Sequence, residues 1–336
     1  MDSAQPVVIG VDVGGTKILI GAVNASGGII EQQRYPMDRT NQNTTLDSIY
    51  TAIEDFMKSV RKDVRPVAMG VGLVGHTDPV NGMWLHAMNV PVQVPVPLAA
   101  QLSDTYDLPV ALDNDVHAAT LAELHLGAGR EATDFVYLNV GTGLAAGIVC
   151  NEQLVRGAAN YAGELGHMVV EPGGYLCQCG QRGCLEPIAS GGGILEQVDA
   201  RRSDYPRSML SRPAQAGTLT AGDVFTAADT GDELAVAIVA RVVRGLGTAL
   251  VNLVNLLNPQ AVVYGGGVLV DGWLMERVSA YVASNALPVA HGALSGFFPS
   301  QLQTGNVGLL GAATLAWMPT AEDSELEEWS GGRRRR

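Results

Sequence analysis

Residues 7–33 read VVIGVDVGGTKILIGAVNASGGIIEQQ. Two apolar runs, 7–13 and 18–23, flank the turn Gly14-Gly15-Thr16-Lys17, and Ser26-Gly27-Gly28 turns the chain again before Ile29. Short apolar runs bounded by glycine turns predict an antiparallel three-stranded meander. The same signature recurs at Gly141-Thr142-Gly143, where residues 135–140 and 144–150 predict a second hairpin. More strands and helices follow each hairpin, so the chain predicts two similar α/β lobes facing a cleft.

Around these hairpins the pattern is less sharp. Residues 44–62 carry Leu46, Ile49, Ile53, Phe56 and Val60 at the spacing of an amphipathic helix. A strand is expected at 67–73, a glycine- and proline-rich loop to about 97, and a helix at 98–106. The buried strand LPVAL then stops at Asp113-Asn114-Asp115, which opens another helix. Residues 201–220 read as irregular, 232–257 as a long helix ended by Asn258-Pro259, and 308–317 as a last apolar helix. The expected division is a smaller lobe from residues 1–114 plus 308–318, a larger lobe from 115–307, and a disordered tail over 319–336.

At 336 residues the chain exceeds one comfortable core. Its net charge of -13 argues against nucleic acid or anionic membrane as a main partner. The N-terminus has no basic n-region or cleavage site, and no long uninterrupted apolar run predicts a membrane span. Thiols gathered as metal ligands suit a reducing cytoplasm.

Three of the four cysteines lie in GELGHMVVEPGGYLCQCGQRGCLE, residues 163–186. His167, Cys177, Cys179 and Cys184 supply the four soft donors that tetrahedral zinc prefers, and a filled site of this kind is structural. Glu164 and Glu186 flank it, so a metal that folds the loop also places two carboxylates. Such carboxylates suit sugar hydroxyls. If His167 gives one nitrogen to zinc, the other carries a hydrogen for a hydroxyl or carboxylate.

The glycine turns suggest phosphates. Gly14 and Gly15 let backbone N–H groups approach phosphate oxygens, Thr16 adds a hydroxyl and Lys17 a charge, and Asp12 suits hydrated magnesium. Gly141, Thr142 and Gly143 repeat the device, and Gly265-Gly266-Gly267 follows a buried strand, where bare backbone suits an adenine ring or ribose. The spacing matches neither a Walker loop nor a dinucleotide fingerprint. Asp115 reads equally as a helix cap or as a base, and Asn114 or Asp113 is able to take the capping role instead. The helix dipole favours its ionised form.

DVGGTK, LDNDVHAA, GTG, GELGH, CQCGQRGCLE and YGGG stand here in one order, from about residue 7 to 317. In that order the chain resembles the ROK-family sugar kinases, which include bacterial glucokinases. The resemblance implies an α/β, actin-like (ribonuclease H-like) ATPase fold and transfer of the ATP γ-phosphate to a hexose 6-hydroxyl, with glucose the leading substrate. It implies that Asp115 is the general base and that Asn114 binds the 3- and 4-hydroxyl region. Gly75 then approaches the 3-position, while Glu164, His167 and Glu186 hold the 1- and 2-hydroxyl side. His167, Cys177, Cys179 and Cys184 hold Zn2+. Asp12, Gly14, Gly15, Thr16, Lys17, Gly141, Thr142, Gly143, Gly266 and Gly267 serve ATP and Mg2+. The family often has Glu where Asp113 stands, and Pro-Gly where this chain has Val74-Gly75-His76. That loop lies near the sugar 3-position in the family, which motivates an amino-sugar alternative: kanosamine, N-acetylglucosamine or N-acetylmannosamine. Family members are commonly dimers or tetramers. The family also includes sugar-sensing repressors, but DVGGTK begins at residue 12, leaving no expected room for a helix-turn-helix ahead of it.

Overall fold

A computed structural model describes residues 4–87, 90–302 and 305–320. In it the N-terminal meander forms from β1 (Gln5–Val13), β2 (Lys17–Val23) and β3 (Ile29–Pro36), paired antiparallel with Val11 opposite Ile20 and Ile20 opposite Gln33. Helix α1 (Gln42–Ser59) is started by a capping box at Asn41 and buries Ile49, Ala52, Ile53 and Phe56. Strand β4 (Val64–Leu73) then runs parallel to β1.

The stretch expected to be a loop is partly a hairpin, β5 (His76–Asp78) and β6 (Met83–His86). Proline and glycine mask it in sequence, but the Asp78 carboxylate accepts the Val80 and Asn81 amides and so shapes the turn. Trp84 is fully buried and donates its indole N–H to the Val74 carbonyl. Helix α2 (Leu98–Tyr106), strand β7 (Val110–Asn114) and helix α3 (Asp115–His125) follow.

The second half begins with β8 (Phe135–Val140), β9 (Leu144–Cys150) and β10 (Gln153–Leu154). Helices α4 (Glu186–Ala189), α5 (Gly191–Arg201), α6 (Ser211–Gln215), α7 (Ala221–Asp229) and α8 (Glu233–Leu257) lead to β11 (Ala261–Gly265). Helices α9 (Trp273–Asn285) and α10 (Pro288–Ala293), strand β12 (Gly296–Pro299) and helix α11 (Val307–Thr320) complete the described chain.

The two main sheets share one topology. Their orders are β3-β2-β1-β4-β7 and β10-β9-β8-β11-β12. In each, the first hairpin is antiparallel and the last two strands add in parallel. The repeat inferred from the glycine hairpins is therefore a repeat of the whole sheet.

Contacts divide the chain into one unit of residues 1–130, 154–162 and 301 onward, and a second of 131–153 and 163–300. This corrects the expected lobe boundaries at 114/115 and 307/308. Helix α3 stays with the first unit because it packs against α11: a Cβ on Gly311 would lie 2.5 Å from the Ala118 backbone. Residues 154–162 return to that unit through polar bonds described below. Of the expected tail, residues 319 and 320 continue the α11 backbone and the rest lie outside the described residues.

In the first unit α11 lies on the β1–β4 face, where Gly10 and Gly70 allow very close approach. A Cβ at Gly70 would sit 1.8 Å from the Ala312 carbonyl oxygen, with no flexible side chain to yield. Gly70→Val is expected to destabilise the protein by about 3 kcal/mol or more, read as a lower chemical-denaturation midpoint. The second unit is built around α8, which buries Leu234, Ile238, Val242, Leu246 and Leu250. Helix α8 is long and apolar enough to span a membrane by length and composition, but that apolar stripe packs in the core.

Candidate active site

Both glycine hairpins close with one short bond and leave amides at the tip. Gly14 N–H donates to the Lys17 carbonyl at 3.1 Å, and Gly141 N–H donates to the Gly143 carbonyl at 2.9 Å. The amides of Gly15, Thr16, Thr142 and Gly143 have no partner among the described residues. Unpartnered backbone amides on a glycine turn form an anion cradle. Asp12 is the penultimate residue of β1 and lies beside the first turn of α11, where a Cβ on Gly308 would lie 2.5 Å from the carboxylate. Burial pushes the Asp12 carboxyl up to about 6, against the opposing charge of Lys17.

In the first unit, Asn114 resolves the question of which residue caps α3. Its Oδ1 accepts the Val116 and His117 amides at 2.9 and 3.2 Å, and its Nδ2 donates to the Gly75 carbonyl at 3.0 Å. An amide side chain offers two acceptor sites and two hydrogens, so Asn114 has one N–H left for a ligand. Gly75 holds φ +94°, and a Cβ there would meet the His86 carbonyl oxygen at 2.5 Å. Gly75, Asn114 and Asp115 are thus brought together by the Asn114 side chain. Asp115 opens α3, and its Oδ1 accepts the Val116 amide at 3.0 Å.

Beneath this turn lies a network absent from the sequence reading. Asp113 is fully buried. Its Oδ1 accepts the Asn114 amide at 2.7 Å, Asn160 Nδ2 at 2.9 Å, and longer bonds from Thr77 and His117 at 3.4 Å. Its Oδ2 pairs with the Arg156 guanidinium. Burial alone would raise the carboxyl, but His117 and Arg156 more than offset it and hold Asp113 at about 2. His117 Nε2 also contacts the Ala162 carbonyl at 3.0 Å, and His76 Nε2 contacts the Ala159 carbonyl at 2.7 Å. A carbonyl only accepts, so His76 carries its hydrogen on Nε2. The His76 ring also meets Tyr161 edge-on at 4.4 Å. These bonds tie residues 156–162 to the Gly75 loop and the Asp113 turn. The only early signal was Asp113 itself, an acidic residue at the end of an apolar strand.

The Asp113 contribution is fully present above its ordinary value of 3.8 and is lost as pH falls through about 2. The gap corresponds to about 2 kcal/mol. Asp113→Asn is expected to lower stability by that order at pH 7, and the deficit should shrink toward zero near pH 2. Denaturation midpoints of both proteins across that range test it.

In the second unit the ligand atoms of His167, Cys177, Cys179 and Cys184 lie within 4.8 Å of one another. Cys179 Sγ is 3.6 Å from Cys184 Sγ, and Cys177 Sγ is 3.6 Å from His167 Nδ1. Tetrahedral zinc with bonds of about 2.0–2.3 Å sets ligands apart by roughly these distances, so the donor set fits. Burial and the neighbouring thiols push the Cys184 thiol up to about 12, and a thiolate there calls for a cation beside it. The other His167 nitrogen, Nε2, lies 3.8 Å from the Glu164 carboxylate. A second anchor holds the loop: Arg241 on α8 donates Nε to Glu171 at 3.0 Å and lies 4.2 Å over the Tyr175 ring.

The remaining predicted residues of this unit gather at the β8–β9 turn. Glu186 Oε2 accepts the Leu144 amide at 3.1 Å. Gly266, at φ +93°, abuts the end of β8, where a Cβ would lie 2.3 Å from the Val140 carbonyl oxygen, and the Val268 amide donates to that oxygen at 3.1 Å. The α5 N-terminus grips the other side: Gly191 and Gly192 amides donate to the Gly141 and Thr142 carbonyls at 2.8 and 3.3 Å. The run Ser190-Gly191-Gly192-Gly193 is a glycine cluster the sequence reading passed over. The predicted residues therefore divide between the units. Asp12, Gly14, Gly15, Thr16, Lys17, Gly75, Asn114 and Asp115 belong to the first. Gly141, Thr142, Gly143, Glu164, His167, Glu186, Gly266, Gly267 and the cysteines belong to the second.

Comparisons with known proteins bear on this constellation. A profile of the ROK family matches residues 8–318. A glucokinase of Halalkalibacterium halodurans is 33% identical over 326 residues, covering 95% of this chain and 97% of that protein. The crystal structure of a ROK family glucokinase from Streptomyces griseus in complex with glucose and AMPPNP superposes with a TM-score of 0.77 at 29% identity, covering 93% of this chain and 99% of that one. A xylose repressor of Caldicellulosiruptor bescii is 30% identical over 260 residues, covering 77% of this chain and 65% of the repressor.

Proposed function

The chain belongs to the ROK family, and from that premise we propose that it is an ATP-dependent glucokinase that phosphorylates the 6-hydroxyl of glucose. Its fold is the actin-like ATPase fold. The observation that carries the reading is similarity to a glucokinase at 33% identity along 97% of that enzyme's length. A net charge of -13 supports a small-molecule substrate over nucleic acid or membrane.

In the proposed mechanism Asp115 accepts the proton of the 6-hydroxyl as its oxygen bonds to the γ-phosphorus. The bond from that phosphorus to the β-phosphate oxygen breaks, and ADP leaves. Asn114 donates its remaining N–H to the 3- or 4-hydroxyl, and Gly75 borders the 3-position. Glu164, His167 and Glu186 take the 1- and 2-hydroxyl side. The tip amides of both hairpins, with Lys17, receive phosphate oxygens, and the glycines at 266 and 267 border the adenosine. Mg2+, held through Asp12, would neutralise phosphate charge. Zn2+ on His167, Cys177, Cys179 and Cys184 would be structural. ATP supply and thiols gathered as metal ligands support a cytoplasmic reaction. The exposed apolar side chains of Leu256, Leu287 and Val289 support a homo-oligomer, a dimer or tetramer.

A coupled assay with glucose, kanosamine, N-acetylglucosamine and N-acetylmannosamine tests the substrate. Glucose should show the highest kcat/KM. The second reading, an amino-sugar kinase, is favoured by His76, whose ring borders the Gly75 loop, and a tenfold preference for an amino sugar would establish it. Turnover of none of the four would overturn the kinase reading.

A further inference from the structure

Glu186 occupies a slot shared by two functions. Its Oε2 accepts the amide of Leu144, the first residue after the Gly141-Thr142-Gly143 turn, at 3.1 Å. The same oxygen lies 3.1 Å from where a Cβ on Gly143 would stand, and 3.4 Å from the equivalent point on Gly166. The carboxylate is thus seated between a glycine of the phosphate turn and the glycine that precedes the zinc ligand His167. The chain that carries Glu186 then closes the turn from its other side, through the Gly191 and Gly192 amides on the Gly141 and Thr142 carbonyls. The amides of Thr142 and Gly143 stay available while the rest of the turn is held.

An ionised carboxylate has two oxygens and about four acceptor sites. One is spent on Leu144, so the group is able to accept a sugar hydroxyl without releasing the turn. We propose that Glu186 is a positioning residue for the nucleotide, holding the Gly141–Gly143 turn in its phosphate-binding shape, and that hexose and nucleotide binding are coupled through its carboxylate. The hexose half of this statement rests on the glucokinase reading above. A hydroxyl that donates to Glu186 restrains the carboxylate, and the restrained carboxylate restrains the turn. By linkage, the factor by which glucose tightens nucleotide must equal the factor by which nucleotide tightens glucose.

The experiment is titration calorimetry of the full chain with Mg2+ and AMPPNP, with and without saturating glucose, on the wild type, Glu186→Ala and Glu186→Gln. Zinc content and melting temperature are matched beforehand. Glu186→Ala should bind AMPPNP about tenfold more weakly without sugar, as loss of one charge-assisted hydrogen bond implies, and glucose should no longer tighten it. Glu186→Gln keeps a carbonyl oxygen for the Leu144 amide, so its sugar-free AMPPNP affinity should stay close to wild type. A Glu186 that only binds hexose leaves sugar-free AMPPNP affinity unchanged in both variants, and that result overturns the proposal. So does a glutamine variant as weak as the alanine one, because the amide tie is then not what matters. If the wild type phosphorylates no sugar, the kinase reading fails, and the sugar-free titrations still decide the role of Glu186 at the turn.

Discussion

Asp115→Ala is expected to lower kcat with glucose about a thousandfold while glucose binding stays measurable. General bases contribute roughly 10²–10⁴ to rate, and phosphoryl transfer leaves the protein little other covalent chemistry to perform. The structure makes the experiment clean. The α3 N-terminus is capped by Asn114, which keeps both amide bonds in the variant. Loss of the Asp115 side chain removes its bond to the Val116 amide, which Asn114 also accepts. The melting temperature should therefore move little, and calorimetry should still detect glucose. A kcat within tenfold of wild type would remove Asp115 from the mechanism.

Loss of the zinc site should be nearly as costly and should act through a different quantity. Cys184→Ser, or exhaustive chelation, is expected to lower kcat/KM for glucose at least about a hundredfold, roughly 2.7 kcal/mol of transition-state stabilisation, mainly by weakening glucose binding. Cys184 is fully buried and stands two residues before Glu186, while His167 follows the glycine that flanks the Glu186 carboxylate. The loop keeps its Arg241 anchor through Glu171, so it should shift rather than unfold. Metal analysis should find one zinc per chain in the wild type and none after chelation, and readded zinc should restore the affinity. Full glucose affinity without zinc would make the cluster a remote brace.

Local signals carried far in this chain. The glycine hairpins, the Asn258 stop of α8 and the cysteine spacing were legible because each is written within a few neighbouring residues. What escaped depends on chain folding back from a distance. Arg156 and Asn160 look like ordinary loop residues until β7 brings Asp113 beneath them. Their pairing with a buried carboxylate has no periodicity to betray it. The β5–β6 hairpin hid behind proline and glycine because its stability comes from Asp78 and the burial of Trp84. The lobe boundary was misplaced for a similar reason. A strand-to-helix junction looks like a natural break, but α3 is held by α11, nearly two hundred residues later in the sequence. The α5 amides escaped because a helix start normally reads as a cap, and here two of its amides serve another turn.

That distant partner governs the order in which the protein can mature. The glycine-lined face of the first sheet is translated before the second unit, yet α11, which packs on it, is translated after that unit. Until α11 arrives, Val8, Leu19 and Ala68 lack the cover that Leu309, Leu310 and Ala313 give them. The second unit, nearly continuous over 131–300, is translated in full before α11 (Val307–Thr320). The first sheet is therefore translated before the second unit but completed after it, and a nascent chain carries that sheet without α11 while the whole second unit is made.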